Sequence, residues 1–206
     1  MKKEVSYMRK FIVAALLAGT VATPALAQDV VPSAVGTGPR VEALVGFDAP
    51  KGVKNGVAYG VGVGFDFTAL GATAGIEGEY METSTDNSDE NVFVNGDELE
   101  SGLGRDLYVG GRVGANLNLL GSSFVYVKGG YTNQRVRTEY DDGGNGTADF
   151  DRGENLDGVR VGAGLEFGIP TLGFGSSAYL KTEYRYSNYE QGFEKHQAIA
   201  GIGFRF

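Results

Sequence analysis

Apolar side chains recur at every second position through most of this chain, and the alternate positions hold glycine or charge. A period of two marks β-strands, whose successive side chains point to opposite faces. The clearest segment is 57–67, where Val57, Tyr59, Val61, Val63, Phe65 and Phe67 oppose Ala58, Gly60, Gly62, Gly64 and Asp66. The same pattern predicts strands over 40–48, 72–82, 105–117, 123–133, 157–167, 177–189 and 196–206, eight in all. In each, one face is apolar. The other carries Arg40, Glu42, Leu44 and Gly46 in the first, Gly75, Glu77, Glu79 and Met81 in the third, and Tyr108, Gly110, Arg112, Gly114 and Asn116 in the fourth. It continues with Phe124, Tyr126, Lys128 and Gly130, then Arg160, Gly162, Gly164 and Glu166, then Tyr179, Lys181, Glu183 and Arg185, and last Gln197, Gly201, Gly203 and Arg205.

The connections alternate in length. Residues 68–71, 118–122 and 168–176 read as compact turns, whereas 83–104 and 134–156 read as long polar loops, and 190–195 as a short link. Outer-membrane barrels have short periplasmic turns and longer external loops, with strands of about 9–11 residues crossing the hydrocarbon at a tilt. An even strand count puts both termini in the periplasm. In lipid every backbone group needs a partner, so such strands must close on themselves. The expected fold is therefore all-β, an eight-stranded antiparallel transmembrane β-barrel spanning 40–206.

The first residues add a compartment. Lys2, Lys3, Arg9 and Lys10 precede a short apolar run from Phe11 to Ala22, and Ala25-Leu26-Ala27 follows. This is the plan of a secretory signal peptide, cleaved after Ala27. Met8 opens an equally good signal, so either Met1 or Met8 serves as the start. Residues 28–39, with Pro32 and Pro39, read as an irregular periplasmic lead-in. Removing 1–27 takes four basic residues and Glu4 from a total of 18 basic and 26 acidic, leaving a net charge near −11. Nucleic-acid binding needs a basic footprint and is not expected. The chain has no cysteine, so burial or a closed hydrogen-bond network must hold it together.

An eight-stranded barrel is just wide enough for side chains to fill. The inward glycines then make room for long neighbours. Inward charges are Arg40, Arg112, Lys128, Arg160, Lys181, Arg185 and Arg205 against Glu42, Asp66, Glu77, Glu79, Glu166 and Glu183. So near a balance predicts a paired network rather than a wide aqueous pore. Phe47, Tyr59, Phe67, Tyr80, Phe124, Tyr131, Phe167, Tyr186 and Phe206 stand at strand ends, where interfacial aromatic girdles belong.

Tyr126-Val-Lys-Gly-Gly-Tyr131, Gly158 to Phe167, Leu180 to Tyr186 and His196 to Phe206 resemble strands five to eight of the small outer-membrane β-barrel proteins of Proteobacteria. These include the opacity-type porin family and the transmembrane domain of outer-membrane protein A. The resemblance implies a Gram-negative outer-membrane location, contact with membrane lipid and lipopolysaccharide, and a monomer with a structural, adhesive or weak porin-like role. It also implies that Phe204 and Phe206 are read by the barrel-assembly machinery. No peptidoglycan-binding domain is expected after the barrel.

Candidate chemistry is sparse. The only histidine, His196, has Ser187 and Glu194 near it in sequence, but the adjacent His and Ser of the lipid A deacylases do not occur. No enzyme and no cofactor are expected. The stretch from Asp141 to Gly146 has Gly143 and Arg152 where an EF-hand needs an acid or amide and a glutamate, which excludes that motif. Glu82, Asp86, Asp89, Glu90, Asp97, Glu98 and Glu100 make an acidic surface segment able to hold cations loosely, including divalent ions that bridge to lipopolysaccharide phosphates. A narrow porin is the main alternative. A soluble calycin-like barrel would need an apolar lumen, which the charged face opposes.

Overall fold

The computed structural model describes residues 36–52, 54–70, 72–90, 98–117, 123–141, 150–169 and 177–206. The signal peptide with Ala25 and Ala27, most of the lead-in and the EF-hand-like stretch after Asp141 lie outside these residues.

Eight antiparallel strands close into a barrel in sequence order, each pairing with its chain neighbours and the last with the first. They are β1 (Gly38–Pro50), β2 (Gly56–Ala69), β3 (Ala72–Glu90), β4 (Glu98–Leu117), β5 (Ser123–Asp141), β6 (Phe150–Ile169), β7 (Ser177–Tyr189) and β8 (Glu194–Arg205). The seam between β1 and β8 runs from Arg40 opposite Arg205 to Pro50 opposite Lys195. It is extended at one end where the Phe206 N–H donates to the Pro39 carbonyl at 3.0 Å. Pairing therefore begins within the expected lead-in.

The wall is inside out relative to a soluble barrel. Val61, Val63, Ile76, Val109 and Val159 are more than half exposed on the outside, while the interior is lined with charge. Only a lipid surround makes that arrangement favourable. On β4 the outward apolar run from Leu107 to Leu117 rises about 25 Å at the usual strand tilt, the height of a membrane barrel's apolar band. Phe47, Tyr59, Tyr80 and Tyr131 mark one margin of this band, and Phe67 and Phe206 the other; all are outward and exposed.

Three sequence expectations need correction. Phe124 is no girdle residue: it is fully buried inside the barrel, stacked on Tyr126 with ring centroids 5.7 Å apart. Alternation from Tyr126 and Lys128 turns it inward, and position near a strand end does not override that. The long loops expected over 83–104 and 134–156 are largely strand, since β3 runs on to Glu90, β4 starts at Glu98, β5 reaches Asp141 and β6 starts at Phe150. Above the membrane both faces meet water, so the apolar alternation fades while backbone pairing continues. The link over 190–195 is shorter than expected, because only Glu190–Gly192 forms a 3-10 turn and β8 begins at Glu194.

Candidate functional site

All thirteen interior charges expected from the sequence line the lumen, and each is at least nine-tenths buried. The structure adds Asp48, Asp106 and Lys195, bringing the set to eight carboxylates and eight cations among the described residues. They arrange themselves in three tiers along the barrel.

The tier nearest the termini is built on Asp66 at the end of β2 and Glu166 on β6. Arg112 from β4 grips Asp66 in a fork, Nε to Oδ1 at 3.0 Å and Nη2 to Oδ2 at 2.6 Å, and donates its Nη1 to Glu166. Arg205 of β8 bridges the same two carboxylates at 2.9 and 3.2 Å. Arg40 of β1 lies 3.3 Å from Asp66 and turns its terminal nitrogens up to Glu42 and Glu77. Forked guanidinium–carboxylate pairs are the strongest and most directional of their kind.

Four glutamates and three cations make the middle tier. Lys128 Nζ sits 2.6 Å from Glu77, 2.8 Å from Glu79 and 3.2 Å from Glu183. Lys181 Nζ lies 2.9 Å from Glu42 and 3.2 Å from Glu183. Arg185 donates to Glu79 at 2.8 Å and to Glu183 through Nε. Tyrosines add further donors, Tyr179 to Glu42 at 2.7 Å and Tyr126 to Glu183, while Glu79 Oε2 and the Tyr108 hydroxyl are buried without a hydrogen bond. Their rings also floor the cations, with Lys128 4.3 Å from the Tyr108 centroid and Arg205 4.9 Å from that of Tyr179.

These rings explain the lumen glycines. A Cβ at Gly164 would overlap the Tyr126 hydroxyl end, and one at Gly203 would overlap the Tyr179 ring. Each tyrosine thus lies flat across the cross-strand glycine it faces, Tyr126 opposite Gly164 and Tyr179 opposite Gly203.

On the β8, β1, β2 and β3 side a small apolar cluster of Leu44, Ala58, Met81 and Ile199 separates the middle tier from the upper one. Above it Asp106 takes Arg160 at 2.6 Å and Lys195 at 2.5 Å. Asp48 accepts Gln197 and Thr83, both at 2.8 Å, and Lys195 also donates to Gln134 at 2.6 Å. Asp48 and Asp106 were within reach of the sequence, since stepping by two from Glu42 and from Tyr108 lands on them. Lys195 was hidden, because its strand starts earlier than the alternation shows.

The residues weighed for catalysis do not meet. Ser187 is buried in the lumen, where Arg160 Nε donates to it at 2.8 Å. His196 is on the outer wall, its Nδ1 2.6 Å from the Tyr184 hydroxyl, and Glu194 lies 3.6 Å from Lys51 at the rim. No cluster of His, Cys, Asp or Glu fit for a metal occurs among the described residues. The side chains of the acidic segment from Asp86 to Glu100 lie outside those described. What the lumen geometry shows is an interior crossed by charge, ring and hydrogen bond.

Among solved structures the chain is similar to Ail, the attachment invasion locus protein of Yersinia pestis, at 15% identity over 83% of this chain and 100% of that one, TM-score 0.52. It is also similar to Neisserial surface protein A, at 14% identity over 82% and 98%, TM-score 0.48. The N-terminal β-barrel domain of Pseudomonas aeruginosa OprF gives 15% identity over 82% and 98%, TM-score 0.47. No curated protein matches the chain. The model of the outer membrane protein beta-barrel domain matches residues 11–206, nearly the whole sequence. With a closed eight-stranded wall, apolar outside and charged within, the chain belongs to that family and is a protein of the Gram-negative outer membrane.

Proposed function

We propose that this barrel is a surface-interaction protein whose working part is the sheet that β3 to β6 raise above the membrane. One observation carries the reading. β2 ends its pairing with β3 at Ser84 and β7 ends its pairing with β6 at Gly158, yet β3, β4, β5 and β6 stay paired with one another well beyond. Among the described residues the result is a four-stranded sheet whose edges, along β3 to Glu90 and along β6 from Phe150, have no strand partner. Open edges are templates for an added strand from a partner. The filled lumen supports the same reading against a porin. In this account the carboxyl-terminal Phe204 and Phe206 serve barrel assembly, and membrane lipid is the barrel's solvent.

The test is a trimmed barrel in which 86–102 and 138–152 are each replaced by a short turn. Bacteria displaying either form are compared for adherence to an epithelial monolayer and to serum-coated plastic. Expected is a trimmed barrel that still shifts its gel mobility on boiling but has lost adherence. Equal adherence by both forms, or adherence by neither, overturns the reading.

A further inference from the structure

Just above the aromatic margin, the outer wall of β4, β5 and β6 carries a polar platform unlike the rest of the outside. Arg105 reaches across the wall, its Nη2 3.2 Å from Asn133 Oδ1 and 3.3 Å from Asn155 Oδ1. Asn133 donates to Asp157 at 2.6 Å, and Tyr131 donates to the same oxygen at 2.5 Å. Arg135 lies over Gly153, where a Cβ would come within 3.1 Å of its Nη2. Among the described residues, Asp157 and, on β3, Glu82 are the acids on this part of the wall; Glu82 stands opposite Arg105 across the β3–β4 pairing and accepts the Tyr80 hydroxyl. The platform is built rather than incidental. The pairing of β4 with β5 slips between Leu103 and Asp106, and Gln134 Nε2 holds the bulge by donating to the Gly104 and Arg105 carbonyls at 3.1 and 3.3 Å. Bulges re-aim side chains, and this one swings Arg105 out along the wall.

Lower on the outside lies an open apolar groove of about 590 Å³ bordered by Val63, Phe65, Ile76, Gly78 and Val109. Its outward glycine has no neighbour that demands it: a Cβ at Gly78 would meet nothing closer than 3.8 Å. The register sets the groove beneath the platform. Tyr80 pairs with Leu107, Leu107 with Asn133 and Asn133 with Asp157, so a row crossing from β3 to β6 climbs out of the apolar band. With strands tilted by about 35–45°, the membrane normal through the groove on β3 and β4 meets β5 and β6 at the platform.

We infer that this face holds a phosphorylated lipid of the outer leaflet, its phosphate on Arg105 and Arg135 and one acyl chain in the groove below. Guanidinium groups suit phosphate by charge and by their paired donors, and they stand out on a chain with an acidic excess. This site is direct and arginine-based, distinct from cation bridging by the acidic segment. It also leaves the edges of the raised sheet free, so it does not depend on the adhesive reading.

The test is native mass spectrometry of the refolded full chain in detergent with diphosphoryl lipid A, with the same lipid stripped of phosphate, and with inorganic phosphate alone. Wild type should retain diphosphoryl lipid A at least about tenfold better than either comparison ligand, a ratio in keeping with charge-assisted phosphate contacts. The R105Q/R135Q variant should lose that preference. Gly78→Leu, which fills the groove and leaves the arginines alone, should weaken diphosphoryl lipid A binding on its own. Mobility shift on boiling certifies folding for each form. Equal binding of phosphorylated and stripped lipid by wild type, or undiminished binding by both folded variants, overturns the proposal; binding of inorganic phosphate as strong as that of the lipid does so as well.

Discussion

Arg112 shows what single residues do here. It holds Asp66 by two nitrogens and Glu166 by a third, with the Tyr126 ring 5.0 Å from its guanidinium carbon. Arg112→Met leaves two buried carboxylates short of a partner, and breaking a buried pair in this way costs about 3–5 kcal/mol. The urea concentration that unfolds the barrel in lipid vesicles should fall accordingly. Adding Glu166→Gln alone to the same chain should recover a large part of the loss, because it matches the lost cation with one lost anion while Asp66 keeps Arg40 and Arg205. Gly164→Val tests the other half of the design. Its side chain would collide with Tyr126, and overpacking of this kind costs about 1–3 kcal/mol. At this scale the sequence was readable wherever alternation was intact, which is how Glu42, Glu77, Lys128 and Arg185 came out facing inward. It misled at Phe124, where being near a strand end suggested a girdle and the alternation gave the opposite answer.

At the scale of elements, the crossing parts of the strands and the raised parts obey different rules. Within the band, lipid on one side and a tight lumen on the other force a period of two, so 57–67 could be read at sight. Above it, segments such as 83–90 and 98–104 have water on both sides, and nothing in the order of polar residues distinguishes a strand from a loop. What keeps them in register is the backbone ladder continued from below, with slips between Glu82 and Thr85 and between Leu103 and Asp106 marking the change of regime. The raised sheet should then be dispensable for folding. The trimmed barrel is expected to refold in vesicles and to keep its unfolding free energy within about 1 kcal/mol of the parent, since the loop closures it alters change free energy only slowly with length. A trimmed chain that cannot refold would show that the sheet carries the barrel instead of standing on it.

As a whole molecule the barrel combines an apolar outside with an interior that satisfies its charges in three tiers. Because those pairs are shielded from solvent, added salt should screen them little. The unfolding midpoint is therefore expected to change far less between low and high ionic strength than it would for a surface-paired protein. The same filling is what the proposed choice of display over transport rests on. The forked and tyrosine-capped contacts cross the lumen in each tier, and opening a path would require several buried pairs to part together. The most direct measurement is single-channel conductance of the refolded, heat-shifting protein in planar bilayers. Sealed bilayers, with steps appearing only when a pair such as Arg112 with Asp66 and Glu166 is removed, are the predicted result. Stable ohmic steps from the intact, folded chain would contradict the account and return the lumen to the porins.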